Sequence, residues 1–270
     1  IVDGGISIKR DLLKYNNLLI DYYICKPPGQ IRQRNLAISK LDNRSSLIIT
    51  LNDDIVLMPF ALENILNFWN NPPHDKAAVS FNIINEKPLK HNFFFGLIGL
   101  TSKIPGRVLK SGLNTPIISI YKDIKTQWVS GGATMWKKEF LTDNVHKETR
   151  SKWAPCEDLI FSYPIGKTNS LFVCADAKVK HEHEFDLSIK QKYQYYGYTE
   201  TVWRFYFVQL HKELSKIAFF RVTLFMILIR LLLFVVTFKL RHFQFGLGQL
   251  KAVLKLLRKN KNILELLNDK

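Results

Sequence analysis

Two carboxylates and an amide interrupt an apolar stretch in the first quarter of the sequence. The run Leu47–Leu51 is followed at once by Asn52, Asp53 and Asp54, after which apolar residues resume. Carboxylate oxygens are the ligands that Mg²⁺ and Mn²⁺ prefer, and such an ion usually shares its shell with substrate phosphates. These residues indicate a metal-bridged nucleotide site. The alternative is a strand-ending turn that caps the next helix, because Asn and Asp are common at both positions.

The neighbouring elements predict an α/β fold with this motif at its ligand-binding edge. Leu47–Leu51 is short and rich in β-branched residues, which is typical of a strand buried on both faces. Unpaired carboxylates are not stable in a core, so they are expected where the strand ends, and open α/β sheets bind ligands at that edge. We also predict a helix over 30–38, a strand over 77–82, and an irregular stretch over 83–121 that is long enough to shape an acceptor pocket.

Two further motifs follow the irregular stretch. Gly131 and Gly132 lie between two aromatic segments, 127–129 and 133–136, that we interpret as strands. Paired glycines in such a place let a ligand approach the backbone closely. Glu157 and Asp158 then open a predicted helix, where the helix dipole alone also favours acidic residues. The sequence is compatible with two roles for Glu157 and Asp158, one in catalysis and one in capping the helix.

A histidine-rich run follows the last predicted core strand, which covers 170–174. Residues 181–184 read His-Glu-His-Glu, which suggests a metal site. On a strand the two histidines share one face, but no third ligand is in sight. The run by itself therefore does not define a metal centre.

The composition limits the class of protein. With 270 residues, 47% hydrophobic and 13% aromatic, the sequence can bury a full core and is not that of a disordered chain. The three cysteines are widely spaced and include no CxxC pair, which favours reduced thiols in a cytoplasmic setting over a disulfide framework or a zinc site. The sequence begins at the end of a predicted strand, so we expect an earlier strand and helix to be missing.

The positive charge is concentrated in the last third of the sequence. The net charge is +16, and residues 187–270 alone hold 15 Lys or Arg against 4 Asp or Glu, a net charge of +11. The apolar run 222–238 carries Arg230 near its middle, which makes it marginal as a membrane span. We predict that this run and a helix over 247–267 lie in a membrane interface, their basic residues meeting anionic headgroups. The alternative is a buried helical hairpin or a dimer interface.

Taken together, the motifs resemble family-2 glycosyltransferases with the GT-A fold, over about residues 1–185. In the order of that family, the matching features are Asp3-Gly4-Gly5, Arg34-Asn35, Asn52-Asp53-Asp54, Gly131-Gly132 followed by Lys137-Lys138-Glu139, Glu157-Asp158, and a His after the last strand. The resemblance implies a GT-A, Rossmann-like mixed sheet flanked by helices and lacking its first strand, over 1–186. A basic, apolar, membrane-associating helical region would follow over 187–270.

The resemblance also implies roles for individual residues. Asp158 would be the general base, supported by Glu157. Asp54 and His181 would hold a divalent cation, Mg²⁺ or Mn²⁺. The nucleotide of the donor would contact Asp3, Gly4, Arg34, Asn52 and Asp53, whereas Gly131, Gly132 and Trp136 would line the acceptor side.

The predicted activity is an inverting hexosyl or deoxyhexosyl transfer in cell-envelope polysaccharide synthesis. The predicted partners are a nucleotide-diphosphate sugar, a glycan or lipid-linked glycan acceptor, an anionic membrane surface at the cytoplasmic face and a second copy of the chain. A nucleic-acid partner is disfavoured, because the basic residues flank runs too apolar to be solvated. Asn52 departs from the family by replacing the first carboxylate of its acidic triplet. The alternative function is therefore an inactive nucleotide-sugar-binding relative.

Overall fold

The computed structural model describes residues 1–86, 92–144, 146–149, 151, 153–182, 192–258 and 263–267. The strands in this part of the chain are β1 Val2–Asp3, β2 Tyr23–Ile24, β3 Leu47–Leu51, β4 Ile55–Leu57, β5 Lys76–Ile83, β6 Ile124–Thr126, β7 Ala133–Lys137 and β8 Ser170–His181. The helices are α1 Lys9–Leu12, α2 Gln30–Ser39, α3 Ala61–Asn70, α4 Phe93–Ile98, α5 Lys138–Thr142, α6 Glu157–Thr168, α7 Lys192–Leu210, α8 Lys216–Thr237, α9 Leu240–Leu257 and α10 Ile263–Leu267.

A mixed sheet forms the centre of the molecule. Its strands run in the order β3-β7-β5-β8-β4, and β6 pairs with β8 at the side. β5 and β8 are parallel, whereas the other pairings are antiparallel. Every residue of β5 is buried, because this strand lies between β7 and β8 and is covered on both faces. The structure confirms the strand predicted over 77–82 and the helix predicted over 30–38.

Two strand predictions need correction. Leu47–Leu51 does form β3, but it is half-buried and not buried on both faces, since it is the end strand of the sheet and pairs with β7 alone among the described strands. The strand predicted over 127–129 is wrong. β6 ends at Thr126, and Trp128 and Val129 are buried as part of the loop that leads to β7. Burial without strand pairing explains the apolar pattern there.

A separate two-stranded sheet holds the first residues of the chain. β1 pairs in parallel with β2, so the strand that ends in Asp3 has a sheet neighbour. An open cleft of about 550 Å³ lies next to it, lined by Val2, Tyr23 and, on the other side, Ile48 of β3. Residues of both sheets thus line this cleft. The expectation of a further strand stays a prediction.

The C-terminal helices pack on one another and on the core. α7 contributes Val202 and Trp203 to one hydrophobic cluster and Phe207 to a second one within the α/β part. α9 crosses α7 so closely that a Cβ on Gly248 would overlap the carbonyl oxygen of Gln194. The helix predicted over 247–267 is wrong in its bounds: α9 begins at Leu240 and ends at Leu257, while α10 is a separate short helix. Residues 259–262 lie outside the described part.

Candidate active site

The acidic pair begins α6, and its two carboxylates have different environments. No side chain caps this helix at Cys156, so the carboxylates do not serve as its N-cap. The side chain of Glu157 is 3% exposed and that of Asp158 is 31% exposed. Since consecutive helical residues point about 100° apart, one carboxylate is directed into the core and the other to an open face.

Arg34 of α2 contacts both members of the acidic pair. Its Nη1 contacts Oε1 of Glu157 and lies 3.5 Å from Oδ1 of Asp158. Burial raises the pKa of Glu157 well above its usual range, the charge of Asp158 adds to this rise, and Arg34 opposes it. The guanidinium of Arg34 thus already has both carboxylates as partners. The predicted contact of Arg34 with the donor nucleotide stays a prediction.

His146 completes the buried side of this cluster. Its Nδ1 lies 3.2 Å from Oε2 of Glu157, and its ring stacks on Phe161 with centroids 4.0 Å apart. Burial, followed by the positive charge of Arg34, lowers the pKa of His146 to about 3. The imidazole is therefore neutral, and its contact with Glu157 is not an ion pair.

Gly131 and Gly132 lie between the cluster formed by Arg34, Glu157 and Asp158 and the turn formed by residues 52–54. A Cβ at Gly131 would overlap Nη1 of Arg34 and Oδ1 of Asp158, and a Cβ at Gly132 would lie 2.6 Å from Nδ2 of Asn52. The backbone N–H of Asn52 also donates to the carbonyl oxygen of Gly132, at 2.9 Å. The loop before β7 thus brings Arg34, Asp158 and Asn52 to one region, and only residues without a side chain fit there.

Asp54 lies at the turn between β3 and β4, opposite the end of β8. Its Oδ2 is 3.0 Å from Nε2 of His181, and Nδ1 of His181 is 3.0 Å from Oε1 of Glu86. The Oδ1 atom of Asp54 is buried and has no hydrogen-bond partner. A carboxylate oxygen of this kind beside an imidazole nitrogen fits a divalent cation whose remaining ligands come from substrate oxygens. His183 and Glu184 lie outside the described residues.

Within the described residues, no group of three His, Cys, Asp or Glu side chains could hold a metal ion alone. A divalent cation at Asp54 and His181 would therefore need further ligands, which the oxygens of a substrate phosphate would supply. Asp53, which follows Asn52 in the same turn, is exposed. The turn leads directly into β4, and the next helix, α3, has no side-chain cap. The motif therefore does not cap a helix.

Asp3 and Gly4 lie against the start of α2. The Asp3 carboxylate accepts hydrogen bonds from the Tyr22 hydroxyl at 2.6 Å and from the Gly5 N–H at 2.7 Å. The Tyr22 bond first, then the Gly5 bond, lowers the pKa of Asp3. A Cβ on Gly4 would lie 2.7 Å from Oε1 of Gln33. The strand end thus reaches α2 one residue before Arg34.

Trp136 does not belong to the site. It is 1% exposed and packs edge to face on Phe161, with ring centroids 5.2 Å apart, inside a core cluster. The prediction that it lines the acceptor side is wrong, because its side chain points from β7 into the interior. Its aromatic type reflects packing.

Three residues at the site were missed from the sequence: Glu86, Asn85 and His146. Glu86 follows the buried strand β5, and the same rule that selected Asp54, a carboxylate after a buried strand, would have found it. Asn85 beside it is bonded to the backbone of His181 in both directions, at 2.9 Å each. His146 gives no local signal, since only the packing of its loop on α6 brings it to Glu157.

The fold is a GT-A-like mixed α/β sheet flanked by helices, with further helices at the C-terminal end. The chain is similar to residues 1–349 of TarS from S. aureus, with 14% sequence identity, a TM-score of 0.51, and coverage of 99% of this chain and 72% of that chain. It matches A197 from STIV at 16% identity and a TM-score of 0.36, over 70% of this chain and 94% of that one. No family model and no curated protein matches the sequence. At this identity, the likeness to TarS establishes the fold.

Proposed function

We propose that the chain is an inverting glycosyltransferase of the family-2 type, which transfers a sugar from a nucleotide-diphosphate sugar to a hydroxyl group of a glycan acceptor. One observation carries the proposal. The half-exposed carboxylate of Asp158 is held beside the buried Arg34–Glu157 pair, and the glycine loop joins this cluster to the turn that contains Asp54. This arrangement supports a site in which Asp158 would act on the acceptor and Asp54 on the leaving group.

Asp158 is suited to act as the general base. It would accept the proton of the acceptor hydroxyl while that oxygen attacks the anomeric carbon. The sugar–phosphate bond breaks on the opposite side, and the nucleoside diphosphate leaves with the bonding electron pair. A single in-line displacement of this kind inverts the anomeric centre. Glu157 is too buried to meet the acceptor, so its role is to fix Arg34 and the start of α6.

Asp54 and His181 are suited to the leaving-group side. A bound divalent cation would neutralise the charge that develops on the diphosphate, and these two residues would hold it. Glu86 would orient His181 from the other ring nitrogen, since a carboxylate on that nitrogen fixes the tautomer and the ring plane. We further propose that Asp3, Gly4, Asn52 and Asp53 contact the nucleotide.

Calorimetric titration of the purified chain with UDP, GDP and dTDP, each with and without Mn²⁺, tests the donor site. Asp54→Asn should lose the part of nucleotide binding that depends on Mn²⁺. Asp158→Asn should bind the nucleotide as the wild type does, but its release of nucleoside diphosphate from the sugar donor should fall about 10²- to 10⁴-fold, the usual contribution of a general base. Asp176→Asn, which changes an exposed carboxylate on β8 of the same sheet, is the control and should behave as the wild type.

The outcomes separate the possible readings of the site. Most of the turnover retained in Asp158→Asn would remove the general-base role. No binding of any nucleotide under any condition would remove the enzyme assignment. Mn²⁺-dependent binding without turnover in the wild type would support the alternative, an inactive nucleotide-sugar-binding relative. That alternative is favoured by Asn52, whose amide packs on Gly132 where the family has a carboxylate.

A further inference from the structure

The outer face of α8 is apolar over its length. The helix buries Phe219, Val222, Thr223 and Ile227 against the rest of the molecule. Leu224, Leu228, Leu231 and Val235 are exposed on the opposite side. Their spacing of i, i+4, i+7 and i+11 places them on one stripe. Among the described residues, α8 is also the one helix long and apolar enough to cross a membrane, judged by length and composition.

α9 continues this apolar surface. Its exposed residues Leu240, Phe243, Leu247, Leu250, Leu254 and Leu257 recur every three or four positions along one side, while Gly246 and Gly248 face α8 and α7. α9 follows α8 directly and packs along it, and Phe234 of α8 meets Phe243 at a centroid distance of 5.3 Å. The two stripes therefore belong to adjoining helices.

α4 extends the surface at the other end of α8. Asn92 caps this short helix by accepting a hydrogen bond from the Phe94 N–H, and Gly99 ends it. Nη2 of Arg221 donates to the carbonyl oxygen of Ile98 at 3.3 Å, which ties α4 to the first turns of α8. Phe93, Phe94 and Leu97 are strongly exposed. α4, which is far from α8 and α9 in sequence, thus exposes large apolar side chains next to theirs. We call this surface the α4–α8–α9 face.

The charges around this face indicate what covers it. Residues 214–264 contain ten Lys or Arg and no Asp or Glu. Lys216, Lys239 and Arg241 are exposed at the helix ends, and Lys251 is exposed within α9. Arg230, in the middle of α8, does not interrupt the apolar stripe, because its guanidinium stacks on Phe245 of α9 at 4.4 Å. A second copy of the chain would bring these like charges together, whereas an anionic, apolar partner complements both features.

We propose that the α4–α8–α9 face binds the surface of an anionic phospholipid bilayer, with α8 and α9 lying in the interface and their basic residues among the headgroups. Large apolar patches with a basic border are typical of interfacial helices. Each exposed Lys or Arg near an anionic leaflet strengthens binding by a similar increment. The inference rests on the helices alone and is independent of sugar transfer.

Co-sedimentation of the full chain with vesicles tests the proposal. One set of vesicles is phosphatidylcholine and the other contains phosphatidylglycerol. We expect the wild type to bind the second set preferentially. Leu224→Glu/Leu228→Glu should lower the partition coefficient at least about tenfold, because two charges enter the apolar contact. The matched control is Leu62→Glu/Leu66→Glu on α3, where the exposed fractions of 40% and 43% are close to the 48% and 56% of the tested pair. This control should bind as the wild type does.

A charge variant keeps the test independent of folding defects. Lys239→Gln/Arg241→Gln leaves the apolar stripe intact and should weaken binding to phosphatidylglycerol by about fivefold for each charge removed. Equal loss in the tested and control leucine pairs, or equal binding to both kinds of vesicle, would overturn the proposal. Resistance of the bound protein to alkaline extraction would also overturn it, because it would show that α8 crosses the bilayer. A dimer that forms without lipid and is abolished by Leu224→Glu/Leu228→Glu would show a protein interface instead.

Discussion

Neighbouring carboxylates can be assigned different tasks only when their surroundings differ, and at the start of α6 they do. Glu157 is enclosed by Arg34, by His146 and by Nε2 of Gln30 at 3.4 Å, whereas Asp158 keeps an open side. A buried pair such as Arg34–Glu157 is costly to break, because the remaining charge would be left uncompensated. The buried pair therefore fixes the position of the accessible carboxylate.

The pH dependence of stability should identify His146 as a buried neutral histidine. The folded pKa of about 3 lies below the unfolded value of 6.5, so the unfolded chain binds more protons between these pH values. The stability contributed by this group is complete above pH 6.5 and is lost as the pH falls towards 3. Between pH 7 and pH 5, the wild type should lose on the order of 1 to 2 kcal/mol more than His146→Gln, measured by urea unfolding.

Glu157 has the opposite effect on the pH dependence of stability. Burial raises its pKa, so the stability that this group contributes falls as the pH rises. His74→Gln, at an exposed position, is the control and should lose as much stability as the wild type. An equal loss in His146→Gln would show that this imidazole does not change its protonation on unfolding.

At the scale of single residues, the sequence predicted what lies at the ends of elements. Asp54, His181, Glu157 and Asp158 all lie at a turn, a strand end or a helix start, where local pattern is informative. His146 and the burial of Trp136 depend on which surfaces meet in three dimensions. The aromatic type of Trp136 suits an acceptor site and a core equally, so pattern alone could not distinguish the two.

Among the elements, the loop before β7 decides how closely α2 and α6 approach. Gly131→Ala would place a methyl group where Nη1 of Arg34 and Oδ1 of Asp158 now lie. We expect turnover of the sugar donor to fall about 100-fold, since displacements of about 1 Å in a catalytic group have that effect. Nucleotide binding should change little, because Asp54 and Asp3 belong to other elements.

Gly29→Ala is the matched control for this loop. Gly29 immediately precedes α2, and a Cβ there would lie 3.6 Å from the nearest atom, the carbonyl oxygen of Ser151, which is an ordinary contact. It should retain wild-type turnover. If Gly131→Ala is as active as Gly29→Ala, the contact between Arg34 and Asp158 does not position the base.

At the same scale, strand and helix predictions failed where tertiary contacts decide. The pattern of β3 is that of a fully buried strand, but its place at the end of the sheet leaves it half-buried. The apolar periodicity of α9 begins before residue 247, and Gly248 is the site of a close contact with α7. Local propensity cannot reveal that a neighbouring helix fills the space.

For the molecule as a whole, the sequence suggested a division at residue 186, between an α/β part and a helical part. The boundary lies outside the described residues and stays a prediction. The packing of α7 shows how the two parts depend on each other. Trp203 is buried with Ile31 and Ala154, and Phe207 with Val108 and Trp128, so α7 fills space within the α/β part while its other side meets α9.

A fragment that ends at residue 186 should therefore fail to fold cooperatively. Loss of a buried Phe or Trp side chain costs roughly 3 to 5 kcal/mol, and two such losses, at Trp203 and Phe207, are comparable with the 5 to 15 kcal/mol of a typical domain. Near-ultraviolet circular dichroism during heating is the measurement. A fragment that ends at residue 214 keeps α7 and should regain a cooperative transition, in detergent because its contact with α9 is exposed. If the shorter fragment has a sharp thermal transition at the same midpoint as the full chain, α7 is an appendage and the division at 186 separates two independent folding units.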